Sequence, residues 1–213
     1  MKTHNFKNHC ITRSSPPHKS DYHEYKVYLK KDFCERCAYC NLRVDYLTTT
    51  PFQIDHFIPK KAFDKEKPEL LTDYNNLIYS CSKCNNAKRA QFEGDLTATE
   101  PTNELFYDPV KTDYNTIFYR NELGAIDSDD EKGKDMIKRL KLYRPIHMLA
   151  WICEQLDETI TKTTYYRDHV ANVQQKDSYD KALLNLNEKY REYTKLFISA
   201  YNNEDKINSF LSE

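Results

Sequence analysis

Glycine is almost missing from this chain: 213 residues hold three, Gly94, Gly124 and Gly133. A glycine-rich phosphate loop has nowhere to sit, and neither a Walker nor a Rossmann spacing occurs. Long apolar runs are missing as well, so no membrane span is expected. The first twenty residues are basic in places (Lys2, Lys7, Arg13) but lack the apolar segment of a secretory leader, which implies a cytoplasmic protein. Tryptophan occurs once. What fills that space is 17 tyrosines and 10 phenylalanines, enough large side chains for a core in a chain that is 31% charged.

Net charge is close to absent too, at −1, but its distribution is uneven. Residues 1–92 carry 16 Lys and Arg against 10 Asp and Glu, and the remainder carries 16 against 23. A basic first half suits a polyanion such as DNA; the acidic second half has other work.

Cysteine, by contrast, is plentiful. Seven cysteines without a leader point to a reducing compartment, where clustered thiols bind metal more often than they pair. Cys37-Ala38-Tyr39-Cys40 and Cys81-Ser82-Lys83-Cys84 are two C-x-x-C pairs. Each such turn brings two thiolates to one ion, and two turns complete the closed tetrahedral site of a structural Zn²⁺. Cys34-Glu35-Arg36-Cys37 is also a C-x-x-C. We take Cys37 and Cys40 as the ligands and Cys34 as a spare or core cysteine. Cys10 and Cys153 stand apart, the latter as a small core residue.

Along the chain, residues 1–19 read as an extended arm, with Ser14-Ser15-Pro16-Pro17 at its end. Ser20-Asp21 caps a helix running towards Phe33. Leu42–Leu47 and Phe52–Phe57 read as two strands of a hairpin, and 59–76 as a long polar loop. Asn85-Asn86-Ala87-Lys88-Arg89 opens a helix. A small hairpin is expected around 117–126. From Asp130 the pattern is helical, with Pro145 in a first turn and Ser178 capping a long helix through Leu183, Leu186, Tyr190, Tyr193 and Phe197.

Between the cysteine pairs lies Phe52-Gln53-Ile54-Asp55-His56-Phe57-Ile58-Pro59, followed by Asn76-Leu77 and Cys84-Asn85-Asn86-Ala87-Lys88. This arrangement, over residues 37–89, resembles the HNH endonuclease family. The resemblance implies a ββα-metal fold in which His56 is the general base, Asp55 and Asn85 hold a divalent ion (Mg²⁺ or Mn²⁺), and Asn76 fixes the loop that orients His56. The chemistry is consistent with the residues: a near-neutral imidazole takes a proton from water, and a hard ion accepts oxygen ligands and offsets charge on a leaving oxygen. Adjacent residues on a strand face opposite ways, so Asp55 and His56 serve one site only where the strand ends or bends. Lys60, Lys61, Lys83, Lys88 and Arg89 are the expected phosphate contacts.

The reading is therefore an α+β protein: a small zinc-stapled ββα-metal nuclease module over 20–95, a connecting segment with a hairpin over 96–129, and a mainly helical partner or specificity region over 130–213. DNA is the expected substrate. The Phe106-Tyr107-Asp108-Pro109 segment and helical tail are similar to HNH proteins of bacterial phage-defence systems such as the nuclease subunit of Septu-type systems, some of which work beside an ATPase. The alternative reading is an inactive zinc-ribbon adaptor that binds nucleic acid or protein.

Overall fold

The computed structural model describes residues 4–44 and 51–210, with side chains to Asn203. In chain order the elements are β1 (His4–Asn5), α1 (Lys26–Asp32), β2 (Phe52–His56), α2 (Lys60–Phe63), β3 (Leu77–Cys81), α3 (Ser82–Lys88), α4 (Tyr114–Ile117), β4 (Tyr119–Arg120), β5 (Ile126–Asp127), α5 (Glu131–Arg139), α6 (Pro145–His169) and α7 (Val173–Phe210). The class is α+β. Two compact units share the chain, residues 1–143 and 144–213. Helix α5 follows directly on Asp130, whose carboxylate caps it on Gly133 N, and it belongs to the first unit. Its buried Met136 accepts a bond from Tyr107 N, and Arg139 donates to Gln91.

The first unit is organised on β2 and β3, which pair antiparallel from Phe52 opposite Cys81 to His56 opposite Leu77. This corrects the expected hairpin. Residues 42–44 form no strand; Arg43 instead bridges Arg36, while 45–50 lie outside the described residues. The alternation of β2 misled because its true partner lies more than twenty residues on, and periodicity carries no information about pairing. Every residue of β3 is buried, and α1 lies against it. Asp21 caps the turn that leads into α1 by accepting from His23 N.

The 59–76 segment is not an open loop. It holds α2 and two 3-10 turns, Pro68–Leu71 and Tyr74–Asn76, and its Phe63 and Leu70 pack with Ile58 and Leu96 in a small core. Polar composition hid these anchors, which are single residues without a period. The N-terminal arm is likewise part of the unit. β1 adds to the β4–β5 hairpin, Phe6 is buried beside Tyr114 and Phe118, and Lys7 and Asn115 exchange two bonds.

The two C-x-x-C segments meet. Residues 36–43 fold into a tight knuckle, closed by Cys37 N to Leu42 O and Asn41 N to Cys37 O, and moored to β3 by Ala38 N to Tyr79 O. Cys81 ends β3 and Cys84 lies in the first turns of α3, so strand, helix and knuckle converge on four buried sulfurs.

One buried cation ties this arrangement together. Lys88, at the end of α3, has no solvent exposure. Its ammonium donates to Asp55 Oδ1 at 3.1 Å and to the His56 carbonyl at 2.7 Å, while the Tyr39 hydroxyl, from within the knuckle, donates to Asp55 Oδ2 at 2.6 Å. Burial, with Asp55 adding to it, pushes the Tyr39 phenol well above its ordinary value and keeps it a donor.

In the second unit Pro145 opens α6, where its missing N–H costs nothing, and Ile146, Leu149 and Cys153 are buried. Against them α7 presents Leu183 and Phe197, with Leu186, Tyr190 and Tyr193 half-buried. Ser178 does not cap α7. It lies inside the helix with its hydroxyl on Gln174 O, and Asn172 instead accepts from Gln174 N and Gln175 N.

Removing one partner of a buried ion pair leaves the other charge stranded. Lys88→Ala should therefore destabilise the protein by about 3–5 kcal/mol, read as a lower denaturant midpoint with unchanged slope. A midpoint within experimental error of the parent would show that Lys88 holds nothing together.

Candidate active site and metal centre

Asp55 and His56 end β2, and the strand's termination is what lets both serve one place. The Asp55 side chain turns towards α3 and the knuckle. The His56 ring turns towards the 59–76 segment, where Nε2 lies 3.0 Å from the Leu71 carbonyl. A carbonyl only accepts, so Nε2 must carry the proton and Nδ1 holds the lone pair. The ring is buried between the Tyr22 edge, at 4.9 Å between centroids, and Phe63 at 5.9 Å. Burial lowers its pKa below the ordinary value, opposed by the Leu71 bond and Asp55 and assisted by Lys60 and Lys88. The imidazole is thus neutral near pH 7.

Asn76 sets that geometry at one remove. Its Oδ1 accepts from Ile58 N at 2.8 Å, and its Nδ2 donates to the carbonyls of Ile58 and Leu70. The clasped Leu70 precedes the residue whose carbonyl receives His56. Asn103, fully buried, performs a similar clasp further out: its amide donates to Phe57 O and Gln91 O. Nothing in the sequence near Asn103 singles it out.

Asn85, on α3, donates Nδ2 to Gln53 Oε1 at 2.7 Å, which leaves its Oδ1 as the acceptor. Asp55, His56 and Asn85 line one cleft of about 250 Å³ together with Tyr22, Ile54, Pro59, Lys60, Lys61, Arg89 and Ala90. A larger cavity of about 420 Å³, lined by Arg13, Asn75, Asn76, Asp108 and others, contains none of the three. Size does not mark the site; the convergence of titratable and oxygen-bearing groups does.

The basic residues divide. Lys60 and Lys61 are exposed at the cleft, Lys60 reaching the Tyr22 hydroxyl at 3.0 Å and lying over its ring. Arg89 is exposed there too. Lys83 is half-buried on α3, away from the cleft lining. Lys88 is the correction: an ammonium sealed against Asp55 presents nothing to a phosphate. Its place in the motif is structural. Tyr22 and Tyr39 were not singled out by sequence, Tyr22 because it lies thirty residues upstream, Tyr39 because the middle of a C-x-x-C carries no pattern.

The sulfurs of Cys37, Cys40, Cys81 and Cys84 all lie within 4.8 Å of one another, and those of Cys40 and Cys81 are 3.8 Å apart. Four cysteines are placed to hold a metal. Burial raises the Cys37 thiol, but hydrogen bonds from Cys40, Cys81 and Cys84 outweigh it and hold it well below its ordinary value. Cys34 is exposed, outside the cluster. Among the described residues no helix is long and apolar enough to cross a membrane.

This chain is 28% identical over 139 residues to a Septu protein PtuB of Bacillus mycoides, an alignment covering 56% of this chain and 46% of that protein. It is also 28% identical over 144 residues to a Septu protein PtuB of Bacillus thuringiensis, covering 64% and 51%. The chain thus spans about half the length of the curated relatives it matches. No solved structure matches it. Residues 34–91, from the turn after α1 to the residues beyond α3, match the family model described as HNH endonuclease. The chain carries an HNH endonuclease domain over those residues.

Proposed function

We propose that this protein hydrolyses DNA phosphodiester bonds, with His56 as the general base and Asp55 and Asn85 as the holders of one divalent ion. The observation that carries the reading is the 3.0 Å contact of His56 Nε2 with the Leu71 carbonyl, because a neutral ring with Nε2 committed there has Nδ1 available to take a proton from water. Asp55 accepts one bond at each oxygen and keeps a lone pair on each. With the Asn85 carbonyl oxygen in the same cleft, the donor set fits a hard ion such as Mg²⁺ or Mn²⁺. When bound, that ion supplies Lewis-acid stabilisation of the charge developing on the leaving 3′ oxygen. The chain's own work is to orient the base through Asn76 and Leu71 and to fix the carboxylate through Lys88 and Tyr39. Lys60, Lys61 and Arg89 meet the phosphates at the cleft, a contact that weakens as salt rises. An inactive adaptor has no use for a buried, tautomer-fixed histidine beside two oxygen donors.

His56 is buried, so its removal carries a packing cost. His56→Gln keeps a donor for the Leu71 carbonyl and loses the base. Its plasmid cleavage in Mg²⁺ or Mn²⁺ should fall by about 10²–10⁴-fold with little change in melting temperature. Parent-level cleavage by the purified variant would overturn the role of His56.

We assign the four-cysteine cluster to Zn²⁺. A tetrahedral ion with sulfurs at about 2.3 Å places neighbouring sulfurs about 3.8 Å apart, the separation of Cys40 and Cys81. Elemental analysis should find one zinc per chain, retained through Mg²⁺ exchange. Serine at Cys37, Cys40, Cys81 or Cys84 should lose it and lower the melting temperature sharply, because such sites couple binding to folding. Cys34→Ser should keep it. Zinc that survives Cys40→Ser would reassign the ligands.

The likeness to the Septu proteins supports a role in bacterial defence beside an ATPase partner. The second unit is its docking region, with Leu184, Leu196, Tyr165 and Tyr166 exposed. A chain ending at Tyr143 should keep its metal and lose co-purification with a co-expressed Septu-type ATPase. Equal recovery of the ATPase by both forms would sink this assignment.

A further inference from the structure

The metal cluster uses four of the seven cysteines. Cys153 is buried in the second unit, near the Thr194 hydroxyl. The remaining two, Cys10 and Cys34, are both exposed and are neighbours in space although 24 residues separate them. The Cys34 sulfur lies 3.6 Å from the Cys10 carbonyl oxygen. That oxygen is about 2.4 Å from its own Cα by standard backbone dimensions. The Cys34 sulfur is therefore within about 6 Å of the Cys10 Cα, and rotation of the two exposed side chains is what brings the sulfurs to bonding distance.

The backbone around the pair is held on both sides. Thr12 N donates to Asp32 O, and Ser14 donates to the Asp32 carboxylate through both its backbone and its hydroxyl. On the other side Phe6 is buried and Lys7 is clasped by Asn115. Cys34 sits on a fixed turn, with Cys34 N on Lys31 O and Glu35 N on Lys30 O. These bonds hold the arm where Cys10 faces the turn that carries Cys34. The Lys7 ammonium is within electrostatic reach of both sulfurs and offsets negative charge at either.

We propose that Cys10 and Cys34 are a redox modification site, separate from the metal cluster, that closes to an intramolecular disulfide and staples the N-terminal arm to the end of α1. With hydrogen peroxide as oxidant, the Cys34 thiolate attacks one peroxide oxygen, the O–O bond breaks and the Cys34 sulfenic acid forms with release of water. The Cys10 thiolate then attacks that sulfur, the S–S bond forms and the hydroxyl leaves as a second water. Two thiols lose two electrons and two protons in total, and the peroxide is reduced to two waters. A dithiol reductant reverses the modification by exchange.

Trypsin isolates the pair. Cleavage after Lys7 and Arg13 leaves Cys10 on residues 8–13, and cleavage after Lys31 and Arg36 leaves Cys34 on 32–36, apart from Cys37 and Cys40 on 37–43. Full-length protein is treated with hydrogen peroxide, alkylated, digested and mapped by mass spectrometry, while a chromogenic chelator follows metal release. The expected result is a linked 8–13/32–36 peptide that dithiothreitol removes, formed before metal is released and absent from Cys10→Ser and Cys34→Ser. The oxidised parent should also resist limited proteolysis in the arm, and oxidised Cys10→Ser should not. Cys10 and Cys34 still alkylated after treatment, each oxidised or capped separately, or Cys34 linked to a cluster cysteine with metal release, would each overturn the proposal.

Discussion

The buried contact between Lys88 and Asp55 is the constraint on which the rest of the first unit depends. A charge without solvent exposure is tolerable only when it is paired and hydrogen-bonded, and Lys88 finds a carboxylate and a carbonyl on β2. Those partners belong to the two residues that the proposed chemistry needs. The same ammonium therefore fixes the direction of the Asp55 carboxylate and, through the His56 carbonyl, the point where the strand stops. Tyr39 completes the carboxylate from the knuckle side, so the cysteine cluster and the cleft share a side chain. Loosening the cysteine cluster frees Tyr39, and with it one half of the support of Asp55.

This coupling explains how adjacent residues of a strand serve one site. Gln53 and Asp55 share one face of β2 by alternation, and both meet α3, Gln53 through Asn85 and Asp55 through Lys88. His56 has the opposite face. It reaches the cleft because β2 ends there and the chain returns through α2 and two 3-10 turns, which Asn76 holds closed. The helix side of the cleft supplies oxygen donors; the loop side supplies the nitrogen base.

Much of this was legible in the sequence, and the reasons differ by residue. The cysteine pairs were legible because a metal demands fixed ligand spacing, and the Asp55–His56 motif with Asn85 because a reaction demands fixed chemistry. Strand β2 and helix α3 followed from local pattern. The partner of β2 did not, since pairing is a long-range choice and the apolar run at 77–81 was as good a strand as the one sought at 42–47. The small core under the 59–76 segment escaped because Phe63 and Leu70 are isolated among charges. The same holds for the arm, where Phe6 is the one buried apolar side chain among the described residues. Lys88 was read as a surface cation because lysines seldom lie fully buried. Only the geometry reveals that its partner is the aspartate 33 residues earlier.

The scarcity of glycine leaves its own mark on the site. Chains that turn through the left-handed region use glycine there by preference, but this one places Cys34, Glu35, Asn41, Arg89 and Lys141 at positive φ. Each such residue costs on the order of 1 kcal/mol or more relative to glycine. Asn41 is the least strained of these, as its side chain suits the left-handed region, and it closes the knuckle. Arg89 is the informative case. At φ 52° it ends α3 directly after the buried Lys88, with its N–H still on Asn85 O, and its side chain lines the cleft beside Lys60 and Lys61. A glycine would end the helix with less strain and bring no charge. Strain retained at a cleft is a reason to look for function there, and a guanidinium beside two lysines, next to a base and two oxygen donors, is suited to hold a phosphate in place.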